Sequence, residues 1–429
     1  MNQAPDKQLT NSNFGKWGWS MILYSMLLYY FWAGLAVDGL NVYPGAFAAL
    51  HGWDPNVLLG FATPAGIIGV LGGIVFGRLV MKTGVRILCT FTLVLTGLLY
   101  IWFGHVNSPV LFLVCLTLFT FISNAFGLIG TSTLMNNWFP RKKGIALGWA
   151  TMGAPLCTAT FVAILSGLFG KFGVPTGCTI VGVVVVIFGL ASLVWVKDYP
   201  HDVGAYPDNI RDEGVDLKAQ AEAVRSHKSA FTVSKLLRDK DMWCMALGFG
   251  LLWMVTVGIV SQFVPRMISV GNSQPTALMM LTAAAVVGLF GSYFWGWLDQ
   301  KVGTKPASVV YSASYIIALL LLIFAKLPIF TYIAIVFVGL GIGGLLNLMP
   351  SMVISVYGKY DFTAANSLVS PIASLLQKFA FLIMAVLLGV SGGDYALPYG
   401  VFIVIDVIGA ALLLCVTGKC KGKQDETQQ

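Results

Sequence analysis

The chain has 429 residues, of which 57% are hydrophobic and only 10% charged, where a typical soluble domain carries roughly 25% charged residues. That composition excludes a water-soluble globular protein. The formal net charge of +8 invites a nucleic-acid partner, but 22 of the 26 Lys and Arg lie in the two tails and one alternate set of loops, which excludes that reading.

Apolar runs of about 20 residues, the length that crosses ~30 Å of hydrocarbon, recur twelve times. They predict helices over 17–40, 56–78, 85–105, 109–135, 144–169, 175–196, 241–265, 275–297, 304–325, 329–356, 363–390 and 396–416. The first run follows a polar leader (Met1 to Lys16) and reads as a spanning helix, not a signal peptide. An even number of helices returns both termini to one side. Only Lys171, Arg266 and Lys326 fall on the other side, and Lys378 lies inside a helix. The positive-inside bias therefore assigns both termini to the cytoplasm. The chain has no Asn-x-Ser/Thr sequon, which fits a bacterial inner membrane.

Taken in chain order, helix 1 places Tyr24, Leu28, Phe31, Leu35 and Asp38 on one face at three- to four-residue spacing. Tyr24 and Phe31 are thereby candidates for the aromatic wall of a binding cavity, with packing or lipid contact as the alternative. Asp38, at the outer end, has either a gating or proton role or the place of a solvated helix end. Helix 2 carries Pro64 and glycines through Gly77, a pattern of close helix approach. After it comes Gly77-Arg-Leu-Val-Met-Lys82-Thr-Gly84-Val-Arg86. Helix 4 offers Asn124 and helix 5 Trp149 and Thr151. Arg141, Lys142 and Lys143 between them read as an orientation signal in contact with anionic lipid. Pro155 and Pro371 invite kinks.

A polar segment, 198–240, separates an N-terminal bundle (1–197) from a C-terminal bundle with its tail (241–429), with a surface helix expected near 217–237. Helix 7 offers Trp253 and Gln262. After helix 8 the chain reads Gly296-Trp-Leu-Asp299-Gln-Lys301-Val-Gly303-Thr-Lys305. Helix 10 offers Asn347, helix 11 Ser374, Gln377 and Lys378, and helix 12 Asp406.

The two loop motifs stand 219 residues apart (296 − 77). A second pair, Trp138-Phe-Pro-Arg-Lys-Lys143-Gly and Val356-Tyr-Gly-Lys359-Tyr, stands 218 apart when Phe139 is set on Tyr357. Two agreeing offsets indicate a duplicated six-helix half, and such repeats place a substrate site at their interface near the midplane.

Lys378 is the costliest residue in the chain, since a lysine at a helix centre costs at least ~2.5–3.5 kcal/mol to insert. It reads as the counter-ion of a substrate carboxylate or as the partner of Asp406, and the two roles are compatible. Ser374, one turn earlier, projects from the same face. Asp406 alone would be pushed toward the neutral acid by burial. The seven cysteines lack paired spacing, and Cys89, Cys115, Cys157, Cys178, Cys244 and Cys415 read as small buried hydrophobes. All four histidines fall in loops or at helix ends, so neither a metal site, a cofactor nor an enzyme is expected.

The loop motif after helices 2 and 8 resembles the signature of the major facilitator superfamily, with Met81 and Gln300 where an acidic residue is usual and Asp299 one place earlier. Trp138-Phe-Pro-Arg-Lys-Lys-Gly-Ile-Ala-Leu-Gly148-Trp-Ala-Thr-Met-Gly153 resembles the helix 4–5 signature of the monocarboxylate porters, and Gly15-Lys-Trp17-Gly18-Trp19 their first signature without its leading acid. The chain is thus similar to the monocarboxylate porters and the oxalate/formate antiporter-like group. Helix 8 lacks the Asp/Arg pair of the animal carriers, while Lys378 resembles the helix 11 lysine of the antiporter group.

The resemblance implies an all-α integral membrane protein with twelve helices in two pseudo-symmetric six-helix bundles. It implies a secondary transporter of a small organic anion, working by proton symport or anion exchange. Gly77, Lys82, Gly84, Arg86, Gly296, Asp299, Lys301 and Gly303 would then be gating motifs. The implied partners are a carboxylate substrate, protons or a counter-anion, and membrane lipid; no nucleic acid partner is implied, and the chain reads as a monomer. A larger amphipathic acid, such as a bile or aromatic acid, and a neutral solute are the rival substrates. A transporter-derived sensor is the rival class, though a linker of 43 residues (198–240) is small for an output domain.

Overall fold

The computed structural model describes residues 11–211, 229, 231–325 and 328–422. Among them, ten helical segments are long and apolar enough to cross a membrane, and two are double: Ala62–Phe103 has 42 residues and Ile329–Val390 has 62. At ~1.5 Å per residue these run about 60 and 90 Å, enough for two crossings each. Both turn back at a glycine with positive φ, Gly84 (φ 78°) and Gly358 (φ 72°), a conformation that side chains with a Cβ rarely adopt.

The twelve spans are α1 (Gly15–Ala36), α2 and α3 (the parts of Ala62–Phe103 before and after Gly84), α4 (Pro109–Trp138), α5 (Lys143–Phe172) and α6 (Val174–Trp195). They continue with α7 (Lys240–Ser269), α8 (Gln274–Val302), α9 (Thr304–Ile323), α10 and α11 (the parts of Ile329–Val390 before and after Gly358) and α12 (Ala396–Leu414). The fold is all-helical and agrees with the expected twelve-helix architecture.

Local departures have physical causes. The predicted second helix begins late, because Pro55–Gly60 forms a separate short helix before Ala62. Inside α4 one π-helical turn, Ala125–Gly130, inserts a residue, and the Thr131 hydroxyl reaches the Phe126 carbonyl five residues back. The ring of Trp32 lies where a Cβ on Gly127 would stand. A break at Met152 in α5 precedes Pro155, whose missing N–H frees a carbonyl one turn earlier. The surface helix expected over 217–237 lies mostly outside the described residues, which show only Val233–Leu237 as helix there.

The chain divides into two compact units. An N-terminal unit comprises 13–140 and 156–228; a C-terminal unit comprises 1–12, 141–155 and 229–429. The division differs from the expected cut at 198–240, because the first turns of α5 group with α8 and α10. Gly144 and Gly148 allow this. A Cβ on Gly296 would stand 2.3 Å from the Gly144 carbonyl oxygen and 2.8 Å from the Gly148 Cα.

In the C-terminal unit the tail after α12 is strapped down. Lys421 Nζ bridges Asp239 (2.6 Å) and Asp241 (2.5 Å), and the Tyr357 hydroxyl donates to Asp239 at 2.9 Å. Burial pushes the Asp239 carboxyl up, but the Lys421 ammonium and the Asp241 N–H outweigh it and hold it below the usual carboxylate range.

Candidate functional site

Lys378 lies in α11 roughly 18 Å before its end at Val390, near the middle of ~30 Å of hydrocarbon. It is half-buried, as are Ser374 and Gln377 on the same helix, and it forms no ion pair among the described residues. α11 leans on α7 through Leu376 and Ala373, which touch Gly250. That contact leaves Lys378 on a different side of the helix.

The expected Lys378–Asp406 pair is not formed. Asp406 is fully buried, and the Ser312 hydroxyl of α9 donates to its Oδ2 at 2.5 Å. The reason is rotational: α12 packs chiefly on α7 and α9, which turns Asp406 toward α9.

Within the N-terminal unit the helix 1 face is largely buried. Tyr24, Leu28 and Leu35 are each 0% exposed. The Tyr24 hydroxyl donates to Ser192 of α6 at 2.9 Å, and its ring packs on Phe188 and Trp195. Phe31 is half-buried against Phe188. This candidate binding face is thus engaged in packing: Tyr24 and Phe31 meet α6, and the Tyr24 hydroxyl already has a partner. Asp38 corrects a second expectation. It is not a solvated helix end but a buried carboxylate in the turn Asp38–Asn41, receiving the Thr158 hydroxyl at 3.0 Å.

Asn124 ties three helices together, accepting Trp32 Nε1–H at 3.1 Å and donating to the Gly69 carbonyl at 2.8 Å. Trp149 stacks near Tyr293, with ring centroids 5.0 Å apart, and its indole N–H points to Ser12. Trp253 and Asn347 are buried, and among the described residues both amide atoms of Asn347 lack a hydrogen-bond partner.

The two loop motifs are built differently. In the first, Gly77 is buried while Lys82 and Arg86 are exposed. An acid from outside the motif meets its far end: Asp198, just after α6, accepts the Arg86 backbone N–H at 2.7 Å. A Cβ on Gly84 would stand 2.3 Å from its Oδ2, so glycine is needed for space as well as for φ. Burial pushes the Asp198 carboxyl up, opposed by the backbone N–H groups of α3. In the second motif Asp299 is itself buried, and Ser351 of α10 donates to it at 2.5 Å. Gly303 again has positive φ (89°), and Lys301 lies over the Trp297 ring.

The basic trio is not a lipid-facing cluster. Lys142 is 2% exposed with its ammonium on Asn11, and Lys143 donates to the Ser351 carbonyl at 2.9 Å and to the Ser355 hydroxyl. Ser351 thus joins Lys143 to Asp299 through its carbonyl and its hydroxyl. Sequence reading missed Asp198, Ser312, Ser351 and Ser355, because a lone Ser or loop Asp carries no signal without its spatial partner. Five of the six membrane-region cysteines are buried as expected; Cys415 is exposed.

Twelve apolar spans in two units, with Lys378 and the shielded acids Asp38 and Asp406 within or at the ends of the spans, define a multi-pass membrane carrier. The sequence matches the Major Facilitator Superfamily over residues 17–376, and the chain belongs to that family. It is 26% identical over 293 residues to the oxalate:formate antiporter of Oxalobacter formigenes, a match covering 66% of this chain and 64% of that protein, slightly under two thirds of its length. Its fold is similar to the crystal structure of the human organic anion transporter MFSD10 (TETRAN), with a TM-score of 0.68 at 12% identity, covering 96% of this chain and 100% of the other.

Proposed function

We propose that this protein is a secondary active carrier that moves a small organic anion bearing a carboxylate across the cytoplasmic membrane by alternating access, through anion exchange or proton symport. The observation that carries the reading is Lys378, a mid-membrane ammonium without a carboxylate partner among the described residues. A charge at that depth is costly unless something anionic meets it. A carboxylate substrate supplies that partner, and the hydroxyl of Ser374 and the amide of Gln377 stand on the same helix to share its oxygens. The similarity to an exchanger of two carboxylates favours exchange.

Purified protein in liposomes should take up labelled mono- or dicarboxylates, and preloading with unlabelled carboxylate should accelerate uptake. Uptake confined to neutral solutes overturns the reading.

The loop charge bias supports an orientation with both termini and the 198–240 linker in the cytoplasm, as in a bacterial inner membrane. Reporter fusions after Gln429 and near Arg225 should be active in the cytoplasm. A periplasmic signal from either overturns this orientation.

A further inference from the structure

Asp406 occupies a seam of the C-terminal unit where α12 packs on α7 and α9. It is 0% exposed; Ser312 serves one carboxyl oxygen, and the other, Oδ1, has no hydrogen-bond partner among the described residues. The ionisable groups around it are few. From α9 come the phenols of Tyr311 and Tyr315, both within its electrostatic reach. Tyr311 is engaged with Thr256 (2.9 Å) and the Gly341 carbonyl (3.0 Å). α7 faces α12 with Gly248, Leu252 and Gly258, none of them ionisable. On α12 itself Tyr399 lies toward Arg266, whose guanidinium is spent on the Leu322 and Ile323 carbonyls. α11 carries Lys378, which is not paired with Asp406.

One hydroxyl does not replace the water stripped from a full carboxylate charge, and among the described residues no cation pairs with it. A proton removes the charge and leaves only a neutral polar group to satisfy.

We propose that Asp406 and Ser312 form a proton-binding site inside the C-terminal unit, with Asp406 held as the neutral acid in the resting carrier. The step is a bare protonation: a proton from water bonds to one carboxyl oxygen while Ser312 keeps its hydrogen bond to the other. Proton and anion then have separate places, and Lys378 keeps its charge for the anion. The inference does not rest on the anion reading, because the site is examined without substrate.

The test is infrared spectroscopy of the full chain in lipid at neutral pH, where an ordinary aspartate (pKa about 3.9) is ionised. The wild type should show the carbonyl stretch of a protonated carboxyl that disappears in Asp406→Asn. Absence of any Asp406-dependent band overturns the proposal. If Asp406→Asn does not fold, Ser312→Ala serves instead: the band should shift as its hydrogen bond is lost, and an unmoved band overturns the Ser312 pairing. As a second readout, thermal stability effects of Lys378→Gln and Asp406→Asn should add. A double mutant that recovers the stability of the wild type would mean that the two charges see each other and would overturn the neutral acid.

Discussion

Replacing Lys378 by glutamine is expected to abolish carboxylate transport while leaving the protein folded and inserted. Truncating one partner of a buried, hydrogen-bonded charge pair costs ~2–5 kcal/mol or more. At ~1.4 kcal/mol per decade, that lowers substrate affinity by about 30- to 3,000-fold. The protein itself should not suffer, because Lys378 has no protein carboxylate that its loss would strand among the described residues. Its removal relieves the cost of a mid-membrane charge, so the melting temperature should hold or rise. Lys378→Arg should keep a fraction of transport, since the charge remains while the guanidinium is planar and wider. Binding of a labelled carboxylate, uptake and thermal stability measured on the same preparations check the separation. Near-wild-type uptake by Lys378→Gln would remove the anion site; a large loss of stability would make Lys378 structural.

Gly296→Ala should be strongly disruptive to the C-terminal unit for a single added methyl. The added Cβ would stand 2.3 Å from the Gly144 carbonyl oxygen, 2.7 Å from Asn347 Nδ2 and 2.8 Å from the Gly148 Cα. Two of these are backbone atoms, which do not move aside as a side chain does, so α5 and α8 must separate. Overpacking of a tight contact costs ~1–3 kcal/mol, and here it also pulls Lys143 from the Ser351 carbonyl and the chain that leads to Asp299. Gly170→Ala in α5, where nothing lies within 4 Å, is the matched control. Gly296→Ala should lower the melting temperature by several degrees and reduce transport, with Gly170→Ala unchanged. Equal behaviour of the two variants would show that the seam is loose.

What sequence could reach follows from how far each signal extends along the chain. Hydrophobic runs of membrane length are local, so all twelve spans were legible with edges mostly within a few residues. The repeat offsets are also local, and they matched Gly84 with Gly303, both of positive φ. Sequence leaves the helix 1 face open between cavity wall and packing: periodicity shows that Tyr24, Leu28 and Leu35 share a side, but not whether that side meets another helix or water. The lipid contact expected of the basic trio fell for the same reason, since three adjacent cations look free for lipid until Asn11 and Ser351 are found beside Lys142 and Lys143.

The sequence by itself determined the membrane-spanning class, the duplicated halves and the singular position of Lys378, because each rests on the cost of placing a residue type in hydrocarbon. Only the tertiary structure decided which charges are paired. Helix rotation and packing turn Asp406 to Ser312 and leave Lys378 without a partner among the described residues. They also place Asp198 against Gly84 and Arg86 of the first loop motif and bring α5 against α8 at Gly144 and Gly296. Electrostatic and steric terms act over a few ångströms in space, and residues that meet at that range are separated by up to 212 positions along the chain, as Lys143 and Ser355 are.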